Sequence, residues 1–160
     1  MKILLGTTNP SKVNRFSDLL KECDVEFVTL KDLAITAEPE ENGTTPEENA
    51  ILKAKFYGQY FDVVICNDTG LYFEEFALDD VRQPGLNVRT PMQMERLTDE
   101  EMIDYYSRLI GTLGGKVSAY YLDGIAVYHH GSIEKSKENI IKDQYAKSIV
   151  DFLKKSLQIA

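Results

Sequence analysis

The chain has 160 residues, of which 43% are hydrophobic and 28% charged, and this ordinary globular composition excludes a disordered or fibrous chain. Its net charge of −8, with no basic stripe, argues against a nucleic-acid partner. No apolar window is long enough to span a membrane, and residues 1–5 are too short for a signal peptide. We therefore expect a cytoplasmic protein, without a membrane partner, that forms one domain over residues 1–160. Cys23 and Cys66 lack metal-ligand spacing and are expected to be reduced structural thiols.

The first elements alternate between strand and helix. Residues 2–5 form a short apolar run, which predicts a strand. Asn9 is typical of a helix N-cap and Pro10 of the first helical position, where its missing N–H has no cost. Residues 26–30 predict a second strand.

The second helix has a clear start at a predicted capping box, Thr45 to Glu48, in which two side chains satisfy two backbone N–H groups reciprocally. Its buried stripe comprises Ala50, Ile51 and Ala54. A strand over residues 63–66 follows, and we expect it to end in a polar loop at residues 67–70.

The C-terminal half is predicted to be β-rich between two helices. A capping box from Thr98 to Glu101 opens a helix that ends at Gly114 and Gly115, and residues 117–130 are rich in strand formers. Asp123-Gly124 is either a hairpin turn or part of one long strand with a bulge at the glycine. The final segment, residues 137–157, predicts an amphipathic helix with these side chains inward: Ile141, Tyr145, Ile149, Phe152 and Leu153. The sum is an α/β protein whose first strands are parallel and whose later strands are antiparallel.

Three predicted loops follow strands and carry polar groups, and such loops meet at the carboxyl ends of the strands, where ligands bind. The first, residues 7–12, opens a helix and includes Lys12, which indicates either an anion site or an ordinary capped helix. The second, residues 38–43, holds clustered carboxylates, typical of a Mg²⁺ site or of a solvated acidic loop. The third places Asp68 after a buried strand, as a tuned base or ligand or as a plain Asx turn.

In this order, the motifs resemble those of the inosine triphosphate pyrophosphatase family. Residues 7–12 resemble its T-G-N-x-x-K signature, and residues 40–54 match its E-x-x-G-x-T-x-x-E-N-A-x-x-K-A block, the most specific of the set. Residues 67–71 resemble D-D-S-G-L, and residues 83–85 with Arg89 resemble a P-G-x-Y loop followed by a basic residue. The resemblance covers about the first 130 residues, and four ordered motifs rarely arise by chance.

The resemblance implies a mixed, elongated, twisted sheet flanked by helices, in two lobes around a central cleft, and a homodimer. It also implies Mg²⁺-dependent hydrolysis of a nucleoside triphosphate to a monophosphate and pyrophosphate. By the same resemblance, Glu40 and Asp68 are metal ligands, and Asp68 also activates water. The catalytic residues would be Asp68, Lys53 and Lys12. The substrate-binding residues would be Thr7, Thr8, Asn9, Lys12, Lys53, Thr69, Arg89, Lys135 and Lys142.

The chain departs from the family pattern at three substituted positions and in two missing segments. Asn67 stands where D-D-S-G-L has its first aspartate, Thr8 replaces the glycine of T-G-N, and Asn87 replaces the tyrosine of P-G-x-Y. The F-G-Y-D-P segment and the S-H-R triplet, which the family uses to hold the base, are absent, and we expect the chain to pass from residue 131 almost directly into the final helix. His129 and His130 are expected to be polar strand-end residues. The departures predict either a hydrolase with altered base specificity, a nucleotide-binding homologue with weak or no catalysis, or a protein that keeps the fold alone.

Overall fold

The computed structural model describes the backbone of residues 1–140 and 144–159 and the side chains of residues 1–135 and 149–159. Within these residues one five-stranded sheet forms, in the order β2-β1-β3-β4-β5. No helix of the described part is long and apolar enough to cross a membrane. The elements are β1 (Lys2–Leu5), α1 (Pro10–Leu19), β2 (Glu26–Thr29), α2 (Pro46–Tyr57), β3 (Val63–Phe73), α3 (Asp99–Thr112), β4 (Ala119–His129), β5 (Ser132–Ile140) and α4 (Gln144–Leu157).

The sheet is mixed, as predicted. β1 pairs in parallel with β2 and β3, since α1 and α2 return the chain to the same edge, and β4 and β5 pair antiparallel. His130 and Gly131, with φ of 47° and 91°, join β4 to β5 in a two-residue hairpin turn, as fits the predicted strand-end position of the histidines. The fold class predicted from the sequence is confirmed.

The two faces of the sheet hold separate cores. On one face, residues such as Ile3, Ile65 and Ile125 pack with α1 and α4. On the other face, Val64 and Cys66 pack with α2. Consecutive residues of β3 therefore address opposite faces, because side chains alternate along a strand. Burial raises the pKa of the Cys66 thiol to about 12, and both cysteines are free, which agrees with a structural role.

β3 and β4 are each 11 residues long and extend well past β1, which has four. Their far halves join α3 in a second lobe, where the Tyr106 hydroxyl donates to the Val88 carbonyl at 2.6 Å and the Tyr106 ring meets Phe73 edge-on. β3 therefore continues beyond the point where β1 stops, and this step in the sheet lies between the two groups of elements.

The prediction of a loop at residues 67–70 is wrong. These residues lie inside β3, because β4 pairs with β3 along its whole length, from Val63 opposite His129 to Phe73 opposite Ala119. The same pairing places Asp123 and Gly124 inside one strand, opposite Thr69 and Asp68, in continuous register and without a bulge.

The prediction of a helix from residue 137 is also wrong in its first part. β5 occupies residues up to Ile140, since the outer edge of β4 is free to pair, and α4 begins at Gln144. The chain therefore does not pass from residue 131 directly into the final helix. Ile149 and Leu153 are fully buried, as predicted, and Phe152 packs against the same core. Ile141 and Lys142, and the side chain of Tyr145, lie outside the described residues.

The two predicted capping boxes differ in outcome. At α3 both reciprocal bonds of the box form between Thr98 and Glu101. At α2 the Thr45 hydroxyl accepts from the Glu48 N–H at 3.1 Å, but the Glu48 carboxylate accepts from the backbone N–H of Thr44, at 2.6 Å, instead of that of Thr45. One of the two predicted capping bonds is therefore wrong. The Glu48 carboxylate instead bonds the Thr44 N–H and so fixes the loop that leads into α2.

Gly124→Ala is expected to lower the free energy of unfolding by about 1–3 kcal/mol, the usual cost of overpacking. A Cβ at residue 124 would stand 2.3 Å from the Glu47 nitrogen and 2.4 Å from the Pro46 carbonyl carbon, so the start of α2 must move. Urea titration measures the loss. Gly111→Ala in α3 is the matched control, since its Cβ meets nothing within 4 Å, and it should be neutral or stabilising. Equal stability of the two variants would contradict this account of the close approach.

Candidate functional site

Two lysine side chains converge on one backbone oxygen of β3. Lys12 Nζ, from α1, lies 3.5 Å from the Asn67 carbonyl oxygen, and Lys53 Nζ, from α2, lies 3.4 Å from it. Burial, and then the charge of Lys53, lowers the pKa of Lys12. A partly buried pair of cations at the end of β1 favours an anion between them.

Asp68 lies beside these lysines on the α2 face. Its Oδ2 accepts from Asn49 Nδ2 at 2.9 Å, and its Oδ1 lies 4.0 Å from Lys53 Nζ. The buried Asn49 also accepts, through Oδ1, from the Gly43 N–H at 2.8 Å. A Cβ at Gly43 would be 2.6 Å from that oxygen, so glycine is required for the contact. Asn49 therefore fixes both the loop of residues 38–43, the acidic loop, and the Asp68 carboxylate.

The role of Asn49 was not predicted from the sequence. The available signal was its place four residues before Lys53, one helical turn away on the same face of α2. The E-N-A-x-x-K-A block contains both residues, but only the lysine carries a charge that suggests chemistry. The structure shows that the amide acts by orienting Asp68.

The acidic loop meets the first loop at a cavity of about 130 Å³. Glu41 forms an ion pair with Lys53 there. Glu40, the predicted metal ligand, is exposed and does not line this cavity. The lining residues are Gly6, Thr7, Thr8, Glu38, Pro39, Glu41, Lys53 and Tyr57. The structure thus brings Thr7, Thr8 and Lys53 together as predicted, and adds Glu41, which sequence reasoning missed.

The donors near Lys53 fit a hard divalent cation. Asp68 and Glu41 both place a carboxylate oxygen near the Lys53 ammonium group, and Mg²⁺ is commonly held by one or two carboxylates with waters and substrate phosphates. Among the described residues no group of three acidic, histidine or cysteine side chains forms a closed metal cage. Asp68 and Glu41 therefore supply two of the oxygen ligands that a Mg²⁺ ion would need, and its other ligands would have to come from elsewhere.

The first loop is shaped by its own hydrogen bonds. The Asn9 N–H donates to Thr7 Oγ1 at 3.1 Å, and Asn9 Oδ1 accepts from the Ser11 N–H at 2.9 Å, as expected of the N-cap of α1. These bonds turn the chain sharply after β1 and place Lys12 in the first turn of the helix. The loop is thereby held beside the cavity.

Four predicted substrate contacts lie elsewhere or cannot be placed. Arg89 donates to Asp99 at 2.7 Å and to the Leu97 carbonyl, at the start of α3. Lys135 forms an ion pair of 3.4 Å with Glu47. Lys142 lies outside the described residues. The Thr69 side chain is on the sheet face opposite Asp68. Arg89 and Lys135 thus have partners away from the lysine pair, and the substrate roles of all four residues stay predictions.

A second polar cluster, also missed from the sequence, occupies that opposite face. Asp123 is fully buried, and its carboxylate accepts from Arg15 at 2.7 Å, Asn67 Nδ2 at 2.8 Å and the Thr69 hydroxyl at 3.2 Å. The signal was an acid within the apolar run of β4, at a position that alternation with Ile125 turns toward the core. A buried carboxylate needs such partners, and this cluster lies directly behind the lysine site.

The fold and the site together define an open α/β protein with a cleft of cations and carboxylates where β1 ends. The sequence model of the Ham1 family matches residues 3–151, and the chain belongs to this family. A dITP/XTP pyrophosphatase from Thermoanaerobacter pseudethanolicus is 34% identical over 94% of this chain and 72% of its own length. One from Leptospira interrogans is 32% identical over 90% and 72%. The Staphylococcus aureus Ham1 structure has a TM-score of 0.70 and 25% identity, covering 88% of this chain and 70% of that one.

Proposed function

We propose that this chain is a nucleoside triphosphate pyrophosphohydrolase that uses Mg²⁺ to release pyrophosphate and a nucleoside monophosphate. The observation that carries the proposal is the convergence of Lys12 and Lys53 on one carbonyl oxygen beside the Asp68 carboxylate. The names of the relatives, dITP/XTP pyrophosphatases, support the same substrate class.

In this proposal each residue has a defined task. Lys12 and Lys53 neutralise phosphate oxygens, and Thr7 and Thr8 donate hydrogen bonds along the phosphate chain. Asp68, oriented by Asn49, takes the proton of the water that attacks the α-phosphorus. Mg²⁺, when bound by Asp68 with Glu41 or Glu40, supplies further charge neutralisation at the phosphates. Such reactions depend mainly on positioning and on charge stabilisation, which this arrangement of side chains supplies.

The second candidate is a nucleotide-binding protein with weak or no turnover. The specific observation in its favour is Asn67, an amide at the first aspartate of the D-D-S-G-L motif. A binding protein would show a micromolar or tighter complex with Mg²⁺ and a triphosphate, and no product after extended incubation. Calorimetry with a non-hydrolysable triphosphate, alongside a product assay, separates the two candidates.

The first prediction concerns the products. Because water attacks the α-phosphorus, pyrophosphate and nucleoside monophosphate should appear in equal amounts, with no orthophosphate until a pyrophosphatase is added. Anion-exchange chromatography of the reaction with inosine triphosphate and Mg²⁺ measures pyrophosphate, orthophosphate, inosine monophosphate and inosine diphosphate. A reaction with EDTA is the control, in which turnover should stop. Release of orthophosphate and a diphosphate would contradict the proposed mechanism.

The second prediction concerns the base. Strong selectivity requires buried polar groups that the wrong base leaves unpaired, and the chain lacks the F-G-Y-D-P and S-H-R segments that would supply them. We expect kcat/KM for inosine, guanosine and deoxyuridine triphosphates to differ by only about 10-fold, against about 10²-fold or more for a pocket with polar base contacts. A parallel assay of the three substrates measures this. A steep preference would show that another part of the chain reads the base, with Lys135 and Lys142 as the first positions to replace.

The proposal also includes a cytoplasmic homodimer. α3 contributes no buried residue and Ile103 on its surface is 69% exposed, so we assign this helix to the proposed interface with a second copy. Light scattering after size exclusion would give the mass of the assembly. A mass of 18.2 kDa at all concentrations would contradict dimerisation.

A further inference from the structure

The cluster behind the lysine site links three elements through one carboxylate. Asp123 of β4 holds Arg15 of α1 through Oδ2 and Asn67 of β3 through Oδ1. Arg15 lies one helical turn after Lys12, and Asn67 supplies the carbonyl oxygen that both lysines contact. The Asp123 carboxylate, which joins α1 to β3, therefore bonds directly to Asn67, the residue whose carbonyl oxygen both lysines contact.

The orientation of Asn67 follows from this contact. Its Nδ2 donates to Asp123, so its Oδ1 must point the other way, and within the described part of the chain that buried oxygen has no hydrogen-bond partner. A buried acceptor without a partner carries a free-energy cost. The bond to Asp123 therefore holds the Asn67 amide in this orientation, although the orientation leaves Asn67 Oδ1 without a hydrogen bond.

The charge balance of the site also involves Asp123. Asp68 and Asp123 lie on opposite faces of the sheet, and the negative charges of both act on the Lys12 ammonium group. Where the D-D-S-G-L motif has two adjacent carboxylates, this chain has one carboxylate and one amide, Asn67. The amide is hydrogen-bonded at 2.8 Å to a carboxylate on the neighbouring strand.

We propose that Asp123 is a positioning residue of the triphosphate site, and that it carries from β4 the negative charge that the motif carries at the position of Asn67. Through Arg15 it fixes α1, and through Asn67 it fixes the β3 carbonyl, so that Lys12 and Lys53 converge on that one carbonyl oxygen. This inference rests on the proposed function only in that the two lysines bind a phosphate chain.

The sign of the effect separates positioning from simple charge. Removing a negative charge near an anion site strengthens anion binding by Coulomb's law alone. A positioning role predicts the opposite for Asp123→Asn. Arg15 and Asn67 donate to different oxygens of the Asp123 carboxylate, and an asparagine keeps only one acceptor oxygen, so one of the two donors then faces an NH2 group. We expect binding of inorganic tripolyphosphate with Mg²⁺ to weaken about 10-fold, the effect of one misplaced hydrogen-bonded contact. Asp18→Asn, at an exposed position of α1, is the control and should leave binding unchanged.

A charge exchange provides the decisive variant. Asn67→Asp alone places two carboxylates in contact and should lower the melting temperature sharply. Asn67→Asp combined with Asp123→Asn restores one amide and one carboxylate, so the double variant should recover stability and bind tripolyphosphate within about 3-fold of the parent protein. Recovery beyond the sum of the single effects is the mark of a direct interaction between the two residues.

The experiment measures tripolyphosphate affinity by calorimetry and kcat and KM with inosine triphosphate for the parent and four variants. Weakened binding in Asp123→Asn with recovery in the exchange supports the positioning role, even if the parent turns over no nucleotide and the proposed hydrolysis fails. Unchanged or tighter binding in Asp123→Asn overturns the role while leaving hydrolysis intact. If Asp123→Asn does not fold, the double variant Asn67→Asp/Asp123→Asn is the test. A double variant that folds but binds tripolyphosphate weakly overturns the positioning role, and so does a double variant that does not fold.

Discussion

Asp68→Asn is expected to lower kcat/KM for inosine triphosphate by about 10²-fold or more, the scale of losing one charged group that acts in the transition state. The substitution keeps the shape of the side chain, and its amide oxygen can still accept from Asn49, which bonds Asp68 at 2.9 Å. It removes the negative charge that would hold Mg²⁺ or take the proton of the attacking water. Steady-state kinetics at saturating Mg²⁺ measure the loss, with a thermal melt to show that the fold is retained.

The same assay can assign the second carboxylate. Glu40→Gln tests the residue expected from the family block, and Glu41→Gln tests the residue that contacts Lys53 in the structure. A metal role requires one of them to raise the Mg²⁺ concentration needed for half-maximal rate. Near-normal turnover in Asp68→Asn would move the reaction centre away from β3, whatever the glutamate variants show.

The fold was predictable to the extent that its signals are local. Asn9 with Pro10 and Thr98 with Glu101 mark helix starts through bonds within four residues, and both starts are confirmed. The length of β3 was not predictable in the same way. Residues 67–70 are polar and contain a glycine, features typical of a loop, and they are held in a strand only because β4, about 50 residues later, pairs with them.

The residues of the site were likewise predictable where their signals are local in the sequence. Lys12, Lys53 and Asp68 stand in ordered motifs, and the structure brings them together as expected. Glu41 was missed because two adjacent glutamates in a loop look equivalent, and only the turn of that loop decides which one meets Lys53. Asp123 was missed because its partners lie on α1 and β3, more than 50 residues away along the chain. Contacts of that kind depend on tertiary packing, which no local pattern specifies.

Lys53→Met is expected to reduce kcat/KM by at least about 10²-fold, because one side chain serves three parts of the site. Its ammonium group donates to the Asn67 carbonyl, pairs with Glu41 and lies 4.0 Å from Asp68. Without it, the two carboxylates face the phosphate chain with one cation fewer, so both substrate affinity and transition-state charge stabilisation fall. Methionine keeps the apolar stem of the side chain, so the packing of α2 against the sheet changes little.

The matched control for Lys53→Met is Lys55→Met, two residues further along α2 at an exposed position. It removes the same charge from the same helix, so any effect of net charge on substrate approach is common to both variants. Kinetics at two salt concentrations separate the local contact from that long-range attraction, which salt screens over about 10 Å at 0.1 M. We expect Lys55→Met to stay within about 2-fold of the parent at both concentrations, since an exposed charge is largely screened. Equal losses in the two variants would mean that Lys53 acts only through the field of the whole protein and does not touch the triphosphate.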